Sequence, residues 1–277
     1  MSDHGYFGPD SITWKIHAHP TMIVGGLRAL LVQALNPLAM AAVDQHSSYK
    51  ADPWARLVRT TEYIVATTYG DTETADAAAA RVRAIHKHVS GVDPFTGRSY
   101  RADDPELLLW IHCAEIHSFM TGYRVFGPGL SDDEIDRYVS EMVAAAELVG
   151  LHRDDVPASY AELRDYLDGE ELVASPAAKA ALRFVLFPPV VWPGGAYPQV
   201  PGGRLLEVPG RMGWAIPSTA AVATLPASAR RAYGLPRLSP AIPALKMPLK
   251  AFIRAMRMVA PPPPGLAEAR ARMGYAA

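Results

Sequence analysis

The stretch Arg56–Gly91, RLVRTTEYIVATTYGDTETADAAAARVRAIHKHVSG, decides the fold class, because it reads as two helices joined by a tight turn. Asp52-Pro53, just upstream, supplies an N-cap and a first-turn proline, and Gly70 follows the last periodic residue. Asp71 or Thr72 caps the second helix, and Gly91 is expected to end it. In the first helix Trp54, Leu57, Val58, Thr61, Ile64, Val65 and Thr68 share one broad face at helical spacing. Arg56, Thr60, Tyr63 and Thr67 form a stripe on the opposite side. Periodicity alone puts that stripe in solvent. The competing reading turns it toward a polar pocket, where an arginine and a threonine one turn apart hold an oxygen species or a carboxylate. In the second helix Ala78, Val82, Ile85 and Val89 make the apolar stripe; His86 flanks it, whereas His88 shares a wet face with Arg81.

The same punctuation recurs along the chain. Asp104-Pro105 starts the helix ELLLWIHCAEIHSFMTGYRVFG, which is apolar nearly all round and therefore central. Ser131 with Glu134, and Ser159 with Glu162, make capping boxes, the first opening a helix that runs to about Gly150. Ser175-Pro176 starts another. MIVGGLRALLVQALNPLAMAAV contains Arg28, Gln33, Asn36 and Pro37, so it reads as a buried helix followed by a proline-started one rather than a membrane span. FPPVVWPGGAYPQVPGGR is expected to be an irregular connection, and the last residues open as polyproline. These readings give an all-α chain, with a core over about residues 15–185 and a Pro-rich, irregular C-terminal part.

Composition narrows the function. With 277 residues and a net charge of −1, the chain fits one large domain, or one domain plus an appended segment, and its basic residues look scattered rather than gathered in the stripe a nucleic-acid surface needs. The single cysteine, Cys113, excludes a disulfide framework, a cysteine zinc site and covalent haem attachment through C-x-x-C-H, and a cytoplasmic setting is the simplest reading. No G-x-S-x-G elbow, Walker lysine loop or G-x-G-x-x-G is present.

The chemistry-bearing residues are then few. A single buried histidine is usually a hydrogen-bonded core residue, yet neutral imidazole is also the usual axial ligand of haem iron, and one protein ligand suffices there. His112-x-x-Glu115 on the central helix is half of a di-iron carboxylate motif, but no second pair at that spacing lies on a good helix. His46 ends an apolar helix beside Asp44, where it caps the helix or reaches a pocket.

Taken in order, IVGGLRALLVQALNPLAMAAVDQHS, DPWARLVRT, RVRAIHKHVSG, PELLLWIHCAEIHSFMTGYRVFGPGLSDDEIDRYVSE and AAAELVGL resemble the catalytic domain shared by bacterial rubber oxygenases (latex-clearing proteins) and fungal MpaB-type oxygenases, over about residues 12–240. The resemblance implies a globin-like all-α core with non-covalent haem b. It implies O2 binding opposite a His-ligated iron and attack on an alkene, an isoprenoid or another small apolar substrate. His86 matches the family histidine expected to ligate the iron, with His112 as second choice. Arg56 and Thr60 match the family's Arg-Leu-x-x-Thr helix beside the haem, and with His46 they are the expected catalytic side chains, Arg56 also binding the cofactor. Arg59 stands where rubber oxygenases carry a lysine that approaches the iron, and Asp44 or Gln45 stands near the family's acidic residue. The resemblance also turns the Arg56 stripe inward, against the cofactor.

The combined expectation is a single domain over 1–277, with a core of about 12–240 and a tail of about 241–277. It acts in the cytoplasm without nucleic acid or stable membrane insertion, and homo-oligomerisation is left open. Two alternatives stay beside the haem reading: a non-haem di-iron oxidoreductase using His112 and Glu115, and a non-catalytic helical binding protein that kept the fold.

Overall fold

The computed structural model describes residues 3–187, 207–259 and 265–274. The described residues are all-α apart from one short hairpin. The helices are α1 (Ile12–His17), α2 (Met22–Gln33), α3 (Pro37–His46), α4 (Pro53–Tyr69), α5 (Thr72–His86), α6 (Pro105–Phe126), α7 (Asp132–Val149), α8 (Tyr160–Gly169), α9 (Pro176–Leu186), α10 (Glu207–Ala223), α11 (Ala227–Tyr233), α12 (Ile242–Val259) and α13 (Leu266–Arg272). Between α5 and α6, strands β1 (Ser90–Val92) and β2 (Ser99–Arg101) pair antiparallel, with Gly91 opposite Tyr100.

The helix starts follow local chemistry. The Asp52, Asp71 and Asp104 side chains accept backbone N–H groups of the first turns of α4, α5 and α6. Ser131 and Ser159 form complete capping boxes. Gly150 ends α7 at φ 108°, a left-handed conformation that glycine adopts without a Cβ clash. α2 and α3 bend by 107° at their junction, and no single helix among the described residues is long and apolar enough to cross a membrane.

α6 is the central element, with α2 against one side and α7 against another. Trp110, Cys113, Ala114, Ile116 and Ser118 on it are essentially inaccessible. α2 crosses α6 so closely that a Cβ on Gly122 would lie 2.9 Å from the Gly25 nitrogen. Arg28, buried at the same crossing, donates to the Thr224 carbonyl at the end of α10, to Ser118 Oγ (2.6 Å) and toward His117 Nδ1. A guanidinium at a helix C-terminus is favoured by the negative end of the helix dipole, so one cation ties α2, α6 and α10 together.

Three expectations are corrected. Gly91 does not end α5: the helix stops at His86 and Gly91 enters β1, where the Tyr100 hydroxyl passes 2.7 Å from where a Cβ would sit. The apolar face assigned to α4 is partly reversed, since Leu57 and Val58 are exposed (37 % and 52 %) while Arg56, Thr60 and Tyr63 are half-buried and Thr67 is buried. Thr68 stays buried, and the side chain of Trp54 lies outside the described residues. On α5 Ile85 is 56 % exposed, and the inner face runs instead through Ala75 and Ala79 toward Val82, His86 and Val89. Small alanines let α5 approach α4 closely, and this rotation carries His86 inward.

The Pro-rich connection expected at 187–204 and the polyproline at 260–264 fall outside the described residues, apart from Phe187, which follows α9. The rest of the C-terminal part holds four helices. α13 packs on α4, with Leu266 and Ala269 buried and Gly265 against Val65.

Candidate functional site

The candidate polar side chains that are buried or half-buried come from α4, α5, α6 and the segment after α3. Arg56 is set one turn into α4 by the Asp52 cap and Pro53. Burial lowers the pKa of its guanidinium, which Tyr49 raises and Arg59 lowers electrostatically. No hydrogen bond or ion pair engages it among the described residues. The Tyr49 hydroxyl donates to Asp44 Oδ1 at 2.8 Å, and burial plus that bond raises the phenol's pKa. Asp44 also pairs with Lys50 at 2.6 Å.

Two turns along α4, Tyr63 has its pKa raised by burial and by the charge of Glu115 on α6. Burial pushes Glu115 up to about 7, opposed by a hydrogen bond from Gln33. Gln33 also donates to the Ile111 carbonyl at 3.0 Å, which fixes its amide beside α6. Thr60 and Thr67 return their hydroxyls to the α4 backbone at Arg56 and Tyr63.

The two histidine candidates share one property. His86 Nδ1 and His112 Nε2 are buried side-chain atoms with no hydrogen-bond partner. Burial holds both imidazoles below the ordinary histidine range, His112 at about 4, and Asp103 partly offsets the effect at His86. Neutral imidazoles with an unsatisfied buried nitrogen are the form that ligates a metal or completes a hydrogen bond to a bound group. By contrast His17, also buried, spends both nitrogens on Thr68 (2.9 Å) and Tyr138 (3.1 Å), as a structural histidine does.

Other candidates stand apart. His46 is exposed at the end of α3 and bonds through Nε2 to the Tyr100 hydroxyl at 3.1 Å, which in turn donates to Gln45 Oε1. That places His46 and Gln45 on the hairpin. Arg59 is exposed and donates to Ser48 Oγ at 2.9 Å. His88 is exposed. Among the described residues no group of three His, Cys, Asp or Glu is placed to hold a metal, so His112 and Glu115 have no further ligands for a di-iron centre.

Sequence reading did not find the Tyr49–Asp44 pair beside Arg56 or the Gln33–Glu115–Tyr63 group. The only signal for Gln33 and Arg28 was their interruption of an apolar run. Inside the fold each is a polar hook onto α6.

Residues 14–259 match the family model described as ER-bound oxygenase mpaB/B′/Rubber oxygenase, catalytic domain. No curated protein and no solved structure matches the chain. The match covers most of the 277 residues, including every helix that contributes to the site. The chain therefore belongs to the MpaB/rubber oxygenase catalytic-domain family, a family of oxygenases.

Proposed function

We propose that the protein is a haem b-dependent oxygenase acting on an alkene, an isoprenoid or another small apolar substrate. The observation that carries this reading is the pair of buried, unpartnered imidazole nitrogens on α5 and α6, in a chain that also carries a half-buried arginine on α4 with no ion-pair partner among the described residues. A b-type haem needs one neutral imidazole for its iron and a cation for its propionates, and these residues fit that donor set. His86 would hold the iron, with His112 completing the pocket, and Arg56 would pair with a carboxylate of the group. When bound, haem supplies the redox chemistry with O2 that no side chain can supply.

The rest is the work of this chain's own residues. Burial keeps His86 uncharged at neutral pH, so its lone pair is free without prior loss of a proton. Glu115, with its carboxyl near 7, can hold or release a proton at its Oε atoms at physiological pH. Tyr63 stays protonated against it and presents a hydroxyl donor. Thr60 keeps its hydroxyl one turn from Arg56, where donating to the helix backbone leaves both lone pairs of the oxygen available. The apolar body of α6 excludes water around these groups and suits a hydrocarbon substrate. We place the protein in the cytoplasm.

The test is the visible absorption spectrum of the purified protein, with quantitation as the pyridine haemochrome. A Soret band with about one haem per chain is expected, consistent with a single axial histidine. A protein that stays colourless after reconstitution overturns the reading. His86→Ala should lose haem while retaining its far-UV helicity; full haem occupancy with an unchanged spectrum would transfer the ligand role to His112.

A further inference from the structure

The basic residues are less scattered than their spacing suggests. Residues 1–207 carry 17 Lys and Arg against 27 Asp and Glu, whereas residues 208–277 carry 10 against 1, giving net charges of −10 and +9. Between Val208 and Ala267 there is no acidic residue at all. Such asymmetry between parts of one chain points to an anionic partner.

α12 carries three of these ten basic residues in one row. Its buried side carries Leu249 and Ile253, with Leu245 and Phe252 half-buried, and packs on α10 and α6. At about 100° per residue, Lys246, Lys250 and Arg254 form a row about 12 Å long that borders the buried side at Ile253 and turns toward the centre of the exposed face. All three are exposed, and none has a hydrogen-bond or ion-pair partner among the described residues. Like charges one turn apart repel, so the helix bears this row at a cost to its own stability. Met247 lies on the same face and is 74 % exposed, beside exposed Pro243, Ala244 and Ala251.

The chemistry of that face selects among anionic partners. It has no aromatic ring for base stacking and no amide or hydroxyl for reading base edges, which disfavours nucleic acid. An exposed methionine among cations suits a surface that is anionic outside and apolar just beneath. Long basic side chains reach headgroups while their methylene stems and the thioether enter the acyl boundary. We propose that the exposed face of α12 docks the protein on an anionic lipid bilayer, with Lys246, Lys250 and Arg254 over the headgroups and Met247 at the acyl boundary. This docking is independent of the cofactor and of the reaction proposed above.

The test is co-sedimentation of the full chain with vesicles of phosphatidylcholine alone and of equal parts phosphatidylcholine and phosphatidylserine. Binding is expected on the anionic vesicles only, weakening as salt is raised. Each basic residue near a lipid surface is worth about fivefold in partitioning, so Lys246→Gln/Lys250→Gln/Arg254→Gln should lose on the order of a hundredfold. Met247→Ser should lose several-fold without changing the salt dependence. A charge-matched control, Arg81→Gln/Lys87→Gln/Arg98→Gln, removes three exposed cations elsewhere and should leave most of the binding intact. Circular dichroism and melting temperature verify that each variant is folded. Equal binding to neutral vesicles, an equal loss in the control, or an α12-dependent interaction with heparin but not with vesicles would each overturn the proposal.

Discussion

Gly25→Ala and Gly26→Ala, neighbours on the same turn of α2, should move stability in opposite directions. Both residues sit inside a helix, and alanine there gains up to about 1 kcal/mol over glycine in backbone propensity. At Gly26 a Cβ would meet nothing within 4 Å, so that gain is expected nearly in full. At Gly25 a Cβ would lie 2.9 Å from the Phe119 Cα, 3.2 Å from the Ser118 carbonyl oxygen and 3.3 Å from Phe119 Cδ1. Two of these three atoms are backbone of α6 and cannot swing away. Ordinary contact begins near 3.4 Å, so α2 must retreat by roughly half an ångström along a densely packed crossing. Overpacking of this kind costs about 1–3 kcal/mol, which exceeds the propensity gain. The two variants should therefore differ by about 1–3 kcal/mol, or several degrees in melting temperature for a chain of this size. Urea denaturation followed by far-UV circular dichroism measures both. Equal midpoints for the two variants would refute the claim that a glycine-mediated crossing sets the α2–α6 distance.

Glu115 has a folded-state pKa of about 7 against 4.5 in the unfolded chain, so the native state binds the proton more tightly. Its favourable contribution is complete below pH 4.5 and is lost as pH rises through 7, by up to about 3 kcal/mol. Glu115→Gln, which cannot ionise, should flatten that decline in a melting series between pH 5 and 8; an unchanged slope would place the titration elsewhere. His17 works in the opposite sense, being lowered to about 3 by burial from 6.5. Its contribution is complete above 6.5 and lost as pH falls toward 3, by at most about 5 kcal/mol, so His17→Gln should soften acid unfolding. His112, held at about 4, leaves a residual slope in that variant. Arg28→Met should cost about 1–3 kcal/mol, because it removes the donor to the Thr224 carbonyl and one of the two hydrogen bonds at Ser118 Oγ, which keeps only its bond to the Ala114 carbonyl, while filling much of the same volume. Chemical denaturation of that variant at neutral pH should show the loss, and none would mean that the buried cation is neutral in effect.

Helix placement was legible from the sequence because caps are local. Asp52, Asp71, Asp104, Ser131, Ser159 and Ser175 each bond a backbone group two or three residues ahead, so a short window holds the whole interaction. The all-α class and the central place of α6 follow from the same local information together with apolar periodicity. The burial contrast between two histidines was legible too: His86 is half-buried and His88 exposed, as their positions relative to Arg81 and Val82 implied.

What only the tertiary structure decided depends on partners far away in the chain. Periodicity assumed that the interior is apolar, so it turned Leu57 and Val58 in and Arg56 out. In the fold the inner side of α4 carries polar groups instead, Arg56 under the electrostatic influence of Tyr49 and Tyr63 under that of Glu115. Gly91 could not be assigned to a hairpin without knowing that Tyr100 and Gln45 converge on it. The lone Arg28 reads as an interruption in an apolar run until a carbonyl nearly two hundred residues later turns out to receive it. A sequence states which groups are available, and for groups that bond within one turn that is enough. For Arg56, His86, Glu115 and Arg28, burial and the identity of the opposing group fix charge state and direction, and those are set only when the helices pack.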